Sequence, residues 1–454
     1  MKKSILNPYK RSAQAFVIAL LLSPLLSLGQ SQTLSLQKAI ELAQSRNRDL
    51  RIDSINIHKA KQQTAITRGL LMPNISLTGQ FQHYFQKPVF FGLNGNTGNS
   101  EKIGYARFGG EDIGAAQVSL VQPIYNSGAK HEIERRKLLE KQSQLSFRQR
   151  EVDVVAQVKQ NYVQLLVLNE RLKLQKESIV RNQKALNDSR SLLAQGRALR
   201  VDTLRAYTSV KNLEPDVLRL TYALQISQQQ LRNLLGDVSK TNYILSDSLE
   251  LNASESVPAE DETYKLSIQQ RPDLQILTLN KEISDKEIEL YKTARLPVVS
   301  FISQYQIQTQ TNQFRFGNAA YPPVFYAGVQ FAIPIFSGNQ NINKIALGKI
   351  ERQQADVIYS NAQEQLKSEV KHVLASLIET SERIKTQQNV SETAELSYSI
   401  TKYRYEKGVA SRLELIDSEF ALTSAKSNYL EAVYDYLSSK IELDRITGNV
   451  KEQL

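Results

Sequence analysis

The residues able to do chemistry in this sequence are few and far apart. Its four histidines, His58, His83, His131 and His372, stand alone, none with a second ligand at metal spacing, and neither His-Glu-x-x-His nor Gly-x-Ser-x-Gly occurs. Each reads as an ordinary surface or strand residue, so the pattern offers no catalytic centre, no metal site and no cofactor. There is no cysteine, which excludes disulfides, thiolate metal sites and lipid attachment through an N-terminal cysteine. Two patterns remain. Glu414 and Asp417 are three residues apart and share one face of a helix. Four short segments alternate apolar residues with Ser, Thr and Gln and contain no Lys, Arg, Asp or Glu. Such patterns line surfaces rather than break bonds, and the chain is expected not to be an enzyme.

The alternation is regular. In Ile75 to Phe85, Ile75, Leu77, Phe81 and Phe85 share one face while Ser76, Thr78, Gln80 and Gln82 share the other. A matching segment sets Val299, Phe301, Tyr305 and Ile307 against Ser300, Gln304, Gln306 and Gln308. Val118, Leu120 and Ile124 correspond to Val329, Phe331 and Ile335 in the other two. Strands are expected at about 75–86, 115–126, 298–309 and 326–336. Apolar-out, uncharged-polar-in alternation marks a transmembrane barrel strand around a wet lumen, although alternation alone also fits a soluble sheet on a core. Absence of charge favours the barrel, because a soluble sheet exposes some charge on its wet face.

The start of the chain points the same way. Lys2, Lys3, Lys10 and Arg11 precede an apolar run from Ala15 to Leu28, with small Ser27 and Gly29 before Gln30, so residues 1–29 read as a secretory signal. That run, interrupted by Ser23 and Pro24, is shorter than the roughly 20 residues a spanning helix needs. Removing those four positive charges lowers the formal net charge from +11 to +7. The remaining charges alternate along solvated helix faces, as in Glu132, Glu134, Arg135, Arg136, Lys137, Glu140 and Lys141. No nucleic-acid partner is implied.

The elements that position these patterns come in two copies. Asn47-Arg48-Asp49-Leu50 recurs as Arg271-Pro272-Asp273-Leu274, and Leu71-Met72-Pro73 as Arg295-Leu296-Pro297, both at an offset of 224. Gln122-Pro123-Ile124-Tyr125-Asn126-Ser127-Gly128 matches Ile333-Pro334-Ile335-Phe336-Ser337-Gly338 with its prolines 211 apart, and Gly196 pairs with Gly408 at 212. The chain is a tandem duplication, with a first repeat at 30–236, a connector at 237–263 rich in Ser, Asp, Glu and Asn, and a second repeat at 264–454. The change of offset places about 13 extra residues in the first repeat, in the glycine- and asparagine-rich loop 87–114 that contains Gly92, Gly95 and Gly98, against loop 309–325 in the second. Each repeat reads as a helix, a strand pair with a long loop, a very long helix and a returning helix.

From Gly128 to Gln195 no proline or glycine interrupts the pattern, and Val155, Val158, Tyr162 and Leu165 recur at spacings of three and four. At about 1.5 Å per residue this predicts a coiled-coil type helix roughly 100 Å long. Gly196 and Gly408 end the long helices and allow reversals into return helices; Pro215 predicts a kink in the first of these. The fold class is therefore mostly α with a β-barrel contribution. Four strands cannot close a barrel, and open edges are not tolerated in lipid, so several chains must pool strands. Three chains, giving 12 strands, are the smallest number that leaves a pore. Threefold symmetry would turn Glu414 and Asp417 into stacked acidic rings that favour cations, or they are simply a solvated helix start.

The sequence resembles the TolC-type outer-membrane efflux family over nearly its whole length after the signal. The resemblance rests on Leu34-Ser35-Leu36 with Ala39, Leu42-Ala43 and Asp49-Leu50, on Arg271-Pro272-Asp273-Leu274, on the proline-bearing strand ends and on the two glycine turns, in the same order twice. It implies a homotrimer in the outer membrane of a Gram-negative cell, whose pooled 12-stranded barrel sits in outer-membrane lipid and continues as a helical tunnel across the periplasm. The tunnel is implied to meet a periplasmic adaptor and an inner-membrane transporter, and to conduct cargo passively to the exterior. The hairpin turns Gly196, Arg197, Ala198 and Leu199, and Gly408, Val409, Ala410 and Ser411, then dock the adaptor. Glu414, Asp417, Asp202 and Tyr405 fall at positions resembling the family's gate. The arginine expected two residues after the second glycine is replaced by Ala410, with Arg412 two further on, so Arg412 joins the gate candidates. A secreted coiled-coil scaffold without a pore would account for the helices but not for four charge-free strands.

Overall fold

The computed structural model describes residues 32–91, 105–238, 243–249 and 257–449. The expected signal at 1–29, the glycines Gly92, Gly95 and Gly98, and much of the expected connector lie outside them. The described residues fold as two compact units, one made of those within 1–54, 146–275 and 362–454, the other of those within 55–145 and 276–361.

In the first repeat, strand β1 (Gln32–Leu34) leads into helices α1 (Leu36–Arg46) and α2 (Arg48–Arg68), strands β2 (Asn74–His83), β3 (Val89–Phe91), β4 (Tyr105–Arg107) and β5 (Asp112–Tyr125), the long helix α3 (Ser127–Ala194) and the return helix α4 (Arg200–Leu234). After β6 (Tyr243–Leu245), the second repeat runs α5 (Glu260–Gln270), α6 (Pro272–Thr293), β7 (Val298–Thr311), β8 (Pro323–Ala332), the long helix α7 (Gln340–Glu406) and its return helix α8 (Arg412–Ile446). The opening helix expected in each repeat is two helices. The repeated motif marks the break: Asn47 caps α2, its Oδ1 accepting the Asp49 and Leu50 N–H groups at 2.9 and 3.1 Å. In the second copy Pro272 starts α6, where a missing N–H costs nothing. Helix α4 continues through Pro215.

The first unit has a buried apolar core. Leu34, Ile40, Val158, Tyr162, Leu165, Leu231 and Leu235 form one cluster, and Val163, Ile384, Val433, Tyr436 and Ile441 another. Parallel pairing of β1 with β6 closes the first, and the Tyr162 hydroxyl donates to the Leu34 carbonyl at 2.8 Å. Lys159 is fully buried with its ammonium 2.8 Å from an Asp444 carboxylate oxygen, so the charge is paired as burial requires.

In the second unit β2, β5, β7 and β8 form one antiparallel sheet in that order. Register puts Ile75 opposite Leu120, Leu77 opposite Val118, Val118 opposite Tyr305 and Tyr305 opposite Phe325, all on one face. Gln117, Gln304 and Gln306 lie on the other. Several strand ends differ from expectation: β2 stops at His83 rather than 86, β7 runs on to Thr311 rather than 309, and β8 starts at Pro323 rather than 326. Strand β8 stops at Ala332, short of 336, because Pro334 has no N–H to donate to a ladder, leaving Ile335 outside the strand and exposed. Its counterpart Pro123 stays within β5 beside a bulge between Pro123 and Tyr125. Strand β5 begins at Asp112 rather than 115, so the sheet as folded does carry one carboxylate.

Candidate gate, docking tip and channel sheet

At both hairpin tips the long helix ends on a glycine with positive φ, 68° at Gly196 and 76° at Gly408. The N–H of the following residue reaches back five positions in the Schellman pattern: Arg197 to the Leu192 carbonyl at 2.9 Å, Val409 to the Arg404 carbonyl at 2.8 Å. A Cβ at either glycine would meet nothing within 4 Å, so backbone conformation rather than crowding selects glycine here. Arg197, Leu199, Val409 and Ser411 are exposed and Ala198 and Ala410 half-buried, a surface open to a partner.

The return helices start on an acid at the third position. Asp202 Oδ2 accepts the Leu199 N–H at 3.3 Å. Glu414 Oε1 accepts the Ser411 N–H at 3.1 Å while Ser411 Oγ accepts the Glu414 N–H at 3.2 Å, a complete capping box. Hydrogen bonds from Ser411, with the Arg404 guanidinium 3.8 Å away, lower the Glu414 pKa below its ordinary value. Asp417 is exposed and, among the described residues, makes no hydrogen bond or ion pair. The two acids proposed as a pair from their spacing are thus held differently.

Arg412 is 7% exposed, its guanidinium 5.7 Å from the centre of the Tyr405 ring, a cation–π distance. Its Nε and Nη1 are buried without a hydrogen-bond partner, an unmet demand of a kind folded proteins rarely leave. Sequence spacing gave no sign of a further tie nearby: Glu419, buried, accepts from Arg181 Nε at 2.9 Å and from Ser178 Oγ at 3.0 Å. The pair joins α8 to α3 across 238 residues, beyond any local pattern.

His131 is not isolated in the fold. Its Nδ1 lies 3.8 Å from Glu134 Oε2 and 3.4 Å from Glu289 Oε2, donors of metal-ligating type within 4.8 Å of one another. Glu134 stands three residues along α3, a spacing the sequence reading passed over, and Glu289 comes from α6. Lys286 places its ammonium 3.2 Å and 2.8 Å from the same two oxygens. The cluster is thereby closed by its own cation.

The sheet pairs an apolar face with an amide face. On the first, Ile75, Leu77, Phe81, Val329 and Phe331 are exposed. On the second, Gln304 Nε2 donates to Gln117 Oε1 at 3.2 Å and to Gln306 Oε1 at 3.1 Å, and the Tyr326 hydroxyl donates to Gln304 Oε1 at 2.9 Å. No helix among the described residues is long and apolar enough to cross a membrane.

The model of the outer membrane efflux protein family matches residues 39–237 and 263–449. The proteases secretion protein PrtF of Dickeya chrysanthemi is 22% identical over 443 residues, covering 96% of this chain and 93% of that protein. The cation efflux system protein CusC of Escherichia coli K12 is 22% identical over 407 residues, covering 88% of this chain and 84% of that one. Among solved structures, the open state of the Neisseria gonorrhoeae MtrE outer membrane channel has the same fold, with a TM-score of 0.73 at 18% identity over 91% of this chain and 89% of that one. Two helix–strand–helix repeats, an amphipathic sheet and a family match over most of the sequence converge: this chain belongs to the outer membrane efflux protein family, as an outer-membrane exit duct of an efflux or secretion system.

Proposed function

We propose that three copies of this chain pool their sheets into a 12-stranded barrel, apolar face to lipid and glutamine face to the lumen, continued by a helical tunnel whose tips engage a periplasmic adaptor serving an inner-membrane transporter. One observation carries this. Among the described residues the sheet has two outer strands, β2 and β8, each with one edge unpaired, and an exposed apolar face. Open edges are costly in lipid and disappear only on closure, and eight strands would fill with side chains where 12 leave a pore.

Gly196, Arg197, Ala198 and Leu199 with Gly408, Val409, Ala410 and Ser411 form the docking tip. Tyr405, Arg412, Asp417, Glu414 and Asp202 form the gate. The buried, unsatisfied nitrogens of Arg412 support its place there, since closure of three copies can bring an acceptor to them. The relatives' names span protease secretion and cation efflux, which supports a duct whose cargo is chosen by the pump.

The sequence has no cysteine, so single cysteines report without background. Gln80→Cys is expected to react with a small aqueous thiol reagent through the pore, and Leu77→Cys only with a lipid-soluble one, in trimers seen as heat-modifiable bands. Equal aqueous labelling of both would sink the barrel.

A further inference from the structure

We propose that residues 312–318, the first part of the connection from β7 to β8, form an interfacial anchor seated at the headgroup boundary of the outer leaflet. This rests on the apolar face of the sheet being the lipid face. The helices leave the sheet at one end, and the β2–β5 and β7–β8 connections lie at the other, where His83, Asp112 and Thr311 stand side by side in the register. If the helices point into the periplasm, these connections reach the outer leaflet.

On the apolar side this end of the sheet is polar. His83, Asp112, Thr309 and Thr311 occupy the same face as Ile75, Leu77 and Phe81. A bare carboxylate there would meet hydrocarbon, which is costly. The segment after β7 covers it. Asp112 is 1% exposed; its Oδ1 lies 2.7 Å from His83 Nδ1, and its Oδ2 accepts the Phe314 N–H at 2.7 Å. Gln313 and Phe314 both take φ of 59°, a left-handed conformation that residues with a side chain avoid, and the chain doubles back over the sheet. Asn312 holds the turn from the other connection, accepting from Lys87 Nζ at 2.9 Å and from the Glu111 N–H at 3.2 Å.

The turn delivers aromatic rings to the apolar side. Phe316 lies over Gly114, where a Cβ would come within 3.4 Å of its ring. Phe81, Phe314 and Phe316 meet edge to face, with centroids 5.0 to 5.8 Å apart. Phe314 is nevertheless 68% exposed, and Arg315 beside it is exposed too. An exposed ring beside a cation, backed by a second ring on the lipid-facing strand surface, suits the boundary where acyl chains give way to charged headgroups. Backbone strain and a buried carboxylate thus hold the Phe314 ring outward, with Phe316 packed on the sheet beneath it. The competing occupant is a neighbouring copy, because Phe81 lies on edge strand β2.

The sequence has no tryptophan, so Phe314→Trp is a sole reporter. In trimers reconstituted into phosphatidylcholine vesicles, its emission is expected to be quenched by lipid brominated near the headgroup more than by lipid brominated deep in the chain, with Leu77→Trp showing the opposite order. Asp112→Ala or His83→Ala, added to Phe314→Trp, should release the turn and lose the quenching. Leu77→Trp quenched with Phe314→Trp unquenched overturns the anchor and leaves the barrel standing, with a neighbouring copy as the occupant. If neither is quenched, the lipid-facing reading fails and the anchor with it. Quenching that survives both Asp112→Ala and His83→Ala overturns the role given to the buried carboxylate.

Discussion

At Gly196 and Gly408 the chain reverses by the same backbone device, yet the two tips carry different side chains on it. The duplication offset of 212 pairs Leu199 with Ser411, Arg200 with Arg412, Asp202 with Glu414, Arg205 with Asp417 and Leu193 with Tyr405. In the first tip the acid at the third helical position receives one backbone hydrogen bond, and leucine offers nothing in return. In the second, serine completes the box. Arg200 is exposed where Arg412, with the Tyr405 ring to stack on, is buried. Duplication kept what the backbone needs and let the charge diverge. The second tip is therefore the better candidate for gating, and the first for a structural and docking role.

The largest effect should come from what the tips share. Valine at Gly196 or Gly408 must adopt a left-handed conformation at a cost of about 1–2 kcal/mol. The Cβ itself meets nothing within 4 Å, so trimers and barrel insertion should persist while export, measured in cells, is abolished in both variants alike. Normal export in both would remove the docking role of the turns.

A smaller effect should separate the acids of the second tip. Glu414 is committed to its cap, whereas Asp417 is free. In single-channel recordings, Asp417→Asn should raise the concentration of a trivalent cation needed for block from the periplasmic side by about tenfold, equivalent to about 1.4 kcal/mol, and Glu414→Gln should raise it less. Block unchanged in the double variant would make both acids a solvated helix start.

Much of the architecture was legible because repetition and periodicity are properties of the sequence itself. The first long helix needed only an uninterrupted run, the second, which carries Gly348, the repeat as well, and strands β2 and β7 only their alternation. What was illegible depended on partners remote in sequence. The histidines read as isolated because Glu289 and Lys286 reach His131 from another helix. Asp112 fell outside the expected strand because its burial depends on Phe314, 202 residues away. Spacing placed Glu414 and Asp417 on one helix face, and only the cap geometry shows that one of them is already occupied.

The smallest expected effect concerns that cap. Ser411→Ala removes the acceptor for the Glu414 N–H and should weaken the start of α8 by about 1 kcal/mol, whereas Leu199→Ala removes no hydrogen bond and Leu199→Ser should strengthen the start of α4. Hydrogen-exchange protection of each first turn reads this out. The cap should also respond to acid. The Glu414 pKa is lowered in the folded protein by the hydrogen bonds from Ser411 and by the Arg404 charge. The carboxylate therefore stabilises the folded turn above its unfolded pKa of about 4.3, and that contribution is lost as the pH falls through the lower folded value. Protection factors at the start of α8 should drop over that acidic window, and Glu414→Gln should abolish the drop because nothing is left to titrate there. Equal acid fraying in wild type and Glu414→Gln would show that the cap is not what holds this turn, and the contrast between the two tips would then rest on Arg412 and Tyr405.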